Sequence, residues 1–265
     1  LGRTSLFVTC LILSVLRLSA QSGGYLEFIE NKGQWNPSIV YRADLSTGNI
    51  FIKKNGFTIL QQDTNDLRRI HELMHGGSRL KAGKQAIKTV AFKGHPLSGP
   101  GSGAADDPFL LHSHVYQVSF ENSNPNVEIV SEKPFTHHNH YMGVGKGASN
   151  CGVFQGITYK NLYDGIDLHY YSEAGFIKYD LIIHPGADPG KVVLRYDGQS
   201  QLLLRKGQLH VQTTVGEVRE LEPKSFQATQ EGRVPVDCKY AVDGNKVRFK
   251  LGQYDPNSTL VIDPT

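Results

Sequence analysis

The chain lacks an excess of charge of either sign. Its 28 Lys and Arg face 25 Asp and Glu, a formal +3, and two of the basic residues, Arg3 and Arg17, flank the N-terminal apolar run. That balance leaves no electrostatic footprint for nucleic acid or an anionic membrane. Long apolar stretches are missing too. The run Leu6 to Leu16 is about half of the ~20 residues a spanning helix needs, which argues against a transmembrane anchor. Cysteine is scarce, with three in 265 residues. The glycine-rich stretches have neither a P-loop lysine nor the strand-to-helix setting of a dinucleotide site, and there is no serine nucleophile elbow, EF-hand spacing or solenoid repeat.

What is present begins with a leader. Arg3 precedes the apolar run, Arg17 closes it, and Ser19-Ala20 supply small residues for cleavage, so residues 1–20 read as a signal peptide and Gln21 as the mature start, against the alternative of a buried N-terminal helix. An extracellular location follows. No cysteine sits just after the cleavage point, so a lipoprotein anchor is not indicated. Cys10 leaves with the leader, and Cys151 and Cys238 remain, either as a bridge worth about 4 kcal/mol in the chain-entropy model or as two buried thiols. With 39% hydrophobic and 20% charged residues the mature chain has the composition of a globular protein.

Strand signals dominate the rest. Ile39 to Ala43 and Asn49 to Leu60 read as strands, the second pair as a hairpin about Lys54-Asn55-Gly56. Asp63 to His75 is a helix, with Asp63 or Thr64 as N-cap and Gly76-Gly77 as its stop. Residues 94–108, GHPLSGPGSGAADDP, read as a flexible loop or linker between an N-terminal β subregion at 21–93 and a C-terminal antiparallel region at 109–265. Val115 to Phe120 alternates with period two. Further strands are expected at 167–171, 176–183, 191–196, 202–204, 209–213, 218–221, 234–240, 246–251 and 260–262. The turns between them include Ser172 to Gly175, Asp197-Gly198, Lys206-Gly207 and Asp243-Gly244-Asn245. The fold class expected is mainly β, an antiparallel sandwich or meander with one short helix near 64–75.

The residues FIENKGQW at 28–35, YRAD at 41–44, IFIKKNGF at 50–57, the long block ITYKNLYDGIDLHYYSEAGFIKYDLIIHPGADPGKVVLRYDG at 157–198, TTVGEVRELEPKSFQ at 213–227 and LVIDPT at 260–265 together resemble a secreted domain common in Bacteroidota. Members usually stand N-terminal to propeller-type (SBBP) repeats, PKD-like domains or gliding-motility, type IX sorting C-terminal regions. The resemblance implies an exported β-rich module with no established activity and no catalytic residues to carry over. It also implies further domains after Thr265 as partners in the same chain. Residues 143–154 depart from the Gly-Asn-Asp-Pro-x-x-Trp-like stretch of that domain.

Four groups of residues invite a chemical reading. His71-Glu72-Leu73-Met74-His75 matches H-E-x-x-H, which puts two imidazoles on one helical face for zinc and a glutamate beside them as base. No Glu stands between Glu72 and Glu121 as an ordinary third ligand, and the longer metzincin pattern fails at Ser78 and Lys81. The segment is therefore expected on a short, at least partly solvent-accessible helix with no protein group completing a tetrahedral zinc site about His71 and His75, although His95, His112, His114, His137, His138 and His140 remain conceivable third ligands. The pairs His112/His114 and His138/His140 have the spacing of one strand face and read as metal pairs or polar strand edges. Asp164, Asp188 and Asp197 belong to turns, while Asp167 and Asp180 punctuate the same block. Tyr159, Tyr163, Tyr170, Tyr171 and Tyr179 form either a sugar-stacking platform or core. The reading that results is a non-catalytic extracellular structural or interaction module with no cofactor, whose partners are the downstream domains and a cell-surface protein or glycan. The alternatives are a glycan-binding β module and a zincin-like metallopeptidase through His71, Glu72 and His75.

Overall fold

The computed structural model describes residues 26–75, 107–142, 147–229 and 232–264. The expected leader at 1–20, the helix stop at Gly76-Gly77, His95 and nearly all of the expected linker lie outside the described residues.

The first half is a meander. Strands β1 (Phe28–Glu30), β2 (Ile39–Leu45), β3 (Gly48–Lys53) and β4 (Gly56–Gln62) follow one another through short turns. The expected hairpin forms with Lys53 opposite Gly56, but neither Lys54 nor Asn55 takes a positive φ. Gly56 carries it instead (φ 148°), and a Cβ there would stand 2.0 Å from the Val118 carbonyl oxygen. The glycine is needed for close approach to the next strand, a different reason from the Asn-Gly turn preference. Helix α1 (Thr64–His75) starts at Asp63, whose Oδ1 accepts the backbone N–H groups of Asn65 (2.8 Å) and Asp66 (3.0 Å). Strand β5 (Ser113–Phe120) then pairs along the whole of β4.

After β6 (Glu128–Pro134) and the small pair β7 (Asn139–Tyr141) and β8 (Ala148–Cys151), the chain enters β9 (Val153–Tyr163), its longest strand. Hairpin partners β10 (Ile166–Glu173) and β11 (Phe176–Ile183) turn at Ala174-Gly175 with φ of 51° and 82°, both left-handed, as a primed two-residue turn requires. Asp188 caps a single 3-10 turn, Pro189–Lys191, so the strand expected from residue 191 starts only at Leu194 in β12 (Leu194–Asp197). Strands β13 (Gln201–Arg205), β14 (Gln208–Thr213) and β15 (Gly216–Glu220) form a separate three-stranded sheet. The remainder is β16 (Lys224–Thr229), β17 (Gly232–Val236), β18 (Cys238–Asp243), β19 (Lys246–Leu251) and β20 (Leu260–Asp263).

The strand expected at Val234 to Tyr240 is two strands. Strand β17 ends at Val236, β18 begins at Cys238, and the two lie at opposite ends of the strand order β17-β16-β20-β11-β10-β9-β1-β2-β3-β4-β5-β12-β19-β18, with β6 also paired to β9. Strand β9 makes the other corner. Residues 153–154 pair with β1, while 157–163 pair with β10. The sheet is thereby folded into two layers, one carrying β6, β9, β10, β11, β20, β16 and β17, the other β1 to β5, β12, β19 and β18. Inward alternation brings Tyr159 and Tyr170 of the first layer edge-on to Phe120 and Phe57 of the second at 5.9 and 6.2 Å, and the Tyr159 hydroxyl donates to the Lys53 carbonyl at 2.6 Å. Phe28, Ile52, Val118, Ile157, Leu168, Leu181, Val247 and Ile262 are buried between the layers. Truncating one such Leu to Ala costs about 2–5 kcal/mol. Cys151 and Cys238 are free and buried, in two separate apolar clusters.

Candidate functional site

The same alternation that buries Leu168, Tyr170 and Leu181 turns Asp167, His169, Tyr171, Lys178 and Asp180 to the outer face of the first layer. Register then lines them up. His169 is opposite Thr158 on β9 and Asp180 on β11; Leu181 opposite Ile262 sets Asp180 beside Asp263, which is itself opposite Lys224 on β16. A polar lane therefore crosses five strands as Thr158, His169, Asp180, Asp263 and Lys224. Gly156 leaves a notch for the imidazole: a Cβ there would come within 3.2 Å of His169 Nε2. Glu132 on β6 closes one end. It accepts the Thr158 hydroxyl proton and lies 3.6 Å from His169 Nε2.

The lane is internally connected. The His169 and Tyr171 rings stack at 5.1 Å and 15°. The Tyr171 hydroxyl donates to Asp180 at 3.4 Å. Lys178 Nζ lies 2.8 Å from Glu173 and 4.0 Å from Asp263 Oδ1. Burial pushes the Asp180 carboxyl up from 3.8 to about 6, and the like charge of Asp263 pushes the same way, against Tyr171, Lys178 and Arg233. Burial also lowers His169, with Glu132 opposing and Lys133 and Lys160 assisting. Burial pulls Lys178 down, yet its bond to Glu173 and the charges of Asp263 and Asp180 leave it raised. Next to the lane, Asp167 is almost fully buried and accepts from Lys160 Nζ (3.0 Å), the Asn161 N–H (2.7 Å) and His184 Nε2 (3.2 Å). The row sets an imidazole, two adjacent carboxylates and an ammonium side by side on the outer face of the sheet.

A second cluster lies where the small sheet meets the main one. Glu220, ending β15, accepts the hydroxyl protons of Tyr196 (2.6 Å) and Tyr179 (3.2 Å). Its charge is also felt by Tyr116, Tyr170 and Tyr240. Burial raises the Glu220 carboxyl, and the tyrosine hydroxyls oppose that shift. A groove of about 620 Å³ opens elsewhere, between the 122–125 turn and Arg248.

The residues singled out in the sequence are dispersed. His71 and Glu72 are exposed on α1, and nothing is described of the His75 side chain. His112 precedes β5 instead of sharing its face with His114. It gives Asp66 Oδ2 both its backbone N–H (2.9 Å) and its Nδ1 (2.6 Å), which anchors α1. His114 bonds the Gly198 carbonyl (2.8 Å) and Thr214 (3.0 Å). His138 likewise precedes β7, His140 accepts the Asn150 N–H at 3.4 Å, and His137 lies 3.2 Å from Glu27. Among the described residues no group of three His, Cys, Asp or Glu is placed to hold a metal ion. Tyr159, Tyr163 and Tyr170 are core residues, and Tyr179 packs against the same core. Only Tyr171 of the five stands in the lane, because period-two alternation sends Tyr170 and Tyr171 to opposite faces. Thr158, Glu132 and Asp263 carry no signal in the sequence, since their role comes from register alone; the one local signal is a charged residue, Asp180, inside the apolar run YDLII.

Among the described residues no helix is long and apolar enough to cross a membrane. Residues 28–265 match a family described as a domain of unknown function, DUF7948. No curated protein and no solved structure matches the chain.

Proposed function

The chain belongs to the DUF7948 family, and from that premise we propose that it is a non-catalytic extracellular structural and interaction module of a bacterial cell-surface or secreted protein, holding or presenting the domains that follow it. The lane of Thr158, His169, Tyr171, Asp180 and Asp263 carries this reading. Half-burying Asp180 next to a second carboxylate on an outer sheet face costs stability, and groups perturbed in that way concentrate at functional surfaces. The leader-like segment, with Arg3, the apolar run 6–16 and Ser19-Ala20, supports export. The test is deletion of residues 21–265 from the full-length protein. Loss of surface retention or of stable downstream domains is expected, and unchanged secretion, folding and surface binding refutes the role.

A glycan-binding module is the second reading, favoured by the groove that Tyr163 and Val193 line together with Asn122, Lys191 and Arg248.

A further inference from the structure

We infer that this groove is a binding site for an acidic glycan, a sugar segment carrying carboxylate groups; the inference rests on the second reading above. The walls of the groove come from four places in the chain, three of them tied by hydrogen bonds near the groove and the fourth, Arg248, by its own side chain. Glu121 N–H donates to the Val193 carbonyl at 3.0 Å and Asn124 N–H to the Leu162 carbonyl at 2.8 Å, while the Tyr163 hydroxyl reaches the same Val193 carbonyl at 3.4 Å. The site is therefore built on paired strands and short turns, which hold a ligand's partners in place before it arrives.

Its lining is chemically mixed. Two of its residues are cations. Arg248, exposed on β19, donates through Nη1 to the Gly190 carbonyl at 3.3 Å, which leaves its other N–H groups for a carboxylate. Lys191 stands beside it, 3.5 Å from Asp164, whose side chain is 94% exposed. So exposed an ion pair is worth little, and a ligand carboxylate exchanges readily for Asp164. Neutral polar groups line it as well, the Asn122 amide and the Ser123 hydroxyl, partners suited to sugar hydroxyls. Asn122 is held at φ 56°, a conformation Asn tolerates well. The floor is Tyr163 and Val193, apolar against the C–H face of a ring. Two cations, an amide and a hydroxyl beside the apolar Tyr163 and Val193 match a sugar acid better than an acidic peptide, which presents fewer hydroxyls to the amide and hydroxyl.

The experiment is calorimetric titration of the full chain with a tetra-galacturonate, with a neutral tetrasaccharide and with tetra-aspartate, at low salt. Binding of the uronate, none of the neutral sugar, and tetra-aspartate weaker by about ten-fold or more are expected. Lys191→Ala and Arg248→Ala are each expected to weaken uronate binding by about ten-fold, and Asp164→Ala to strengthen it. Asn122→Ala, which leaves both cations in place, weakens the uronate but not tetra-aspartate. No uronate binding, equal binding of tetra-aspartate, or affinity unchanged in the Lys191 and Arg248 variants with wild-type melting temperatures overturns the proposal. Such a failure leaves the module role standing, because the deletion of 21–265 tests that role separately.

Discussion

Asp180→Asn is the sharpest probe of the lane. Raising a carboxyl from 3.8 to about 6 corresponds to about 3 kcal/mol of differential stabilisation of the protonated form. Asp180 is only partly buried, so solvent screening reduces this to about 1–2 kcal/mol. The folded chain holds this proton more tightly than the unfolded chain does. Stability from this group is therefore fully present below pH ~4, falls as the pH rises between ~4 and ~6, and is lost above that window. Asparagine keeps an oxygen for the Tyr171 hydroxyl but never acquires the charge that burial and Asp263 disfavour. Urea denaturation is expected to give nearly equal stabilities for the two proteins at pH 4, and a variant more stable than the wild type by about 1–2 kcal/mol at pH 7.5. A difference that does not vary with pH, or a less stable variant at pH 7.5, refutes the argument that Asp180 is desolvated in the lane.

Glu220 has the same sign, since its carboxyl is also raised. Glu220→Gln is expected to gain stability relative to wild type as the pH rises, whereas Glu220→Ala, which strips the acceptor from Tyr196 and Tyr179, costs about 2–4 kcal/mol while the carboxyl is protonated and less once it ionises; both are read by chemical denaturation. Gly56→Ala places a Cβ 2.0 Å from the Val118 carbonyl at a φ of 148° and is expected to cost about 3 kcal/mol or more, seen as a lowered thermal midpoint; a shift of under a degree contradicts the close approach of β4 and β5. Because Cys151 and Cys238 are free and buried, with burial pushing the Cys238 thiol up to about 11, a reductant leaves the thermal midpoint unchanged, and Cys238 alkylates at pH 8 only once the protein is denatured. Mass spectrometry of iodoacetamide-treated native and denatured protein checks this.

Local signals located much of the secondary structure. Asp63 caps its helix through its own side chain, and Ala174-Gly175 and Lys206-Gly207 adopt the left-handed pairs that two-residue hairpins demand. These are interactions between residues two to four apart, and the sequence states them directly. The continuous run VPVDCKY reads as one strand because alternation continues through Asp237; it is two because Asp237 stands at a corner, where its carbonyl accepts the Gly252 N–H at 2.8 Å. The histidine pairs failed for a related reason: two-residue spacing puts side chains on one face only while both residues lie in the strand, and β5 and β7 each begin one residue too late.

By itself, the sequence determined that this protein is a chain of short antiparallel strands with one capped helix, because period-two alternation and turn conformation are encoded in neighbouring residues. Only the tertiary structure decided that β9 divides its edge between β1 and β10, that β17 and β18 part to opposite ends of the strand order, and that Thr158, His169, Asp180 and Asp263 stand in one row. Pairing between distant strands depends on which apolar faces pack together, and a one-residue slip in any of them would turn its side chains to the opposite face. The lane is a property of four registers at once, and no single segment contains it.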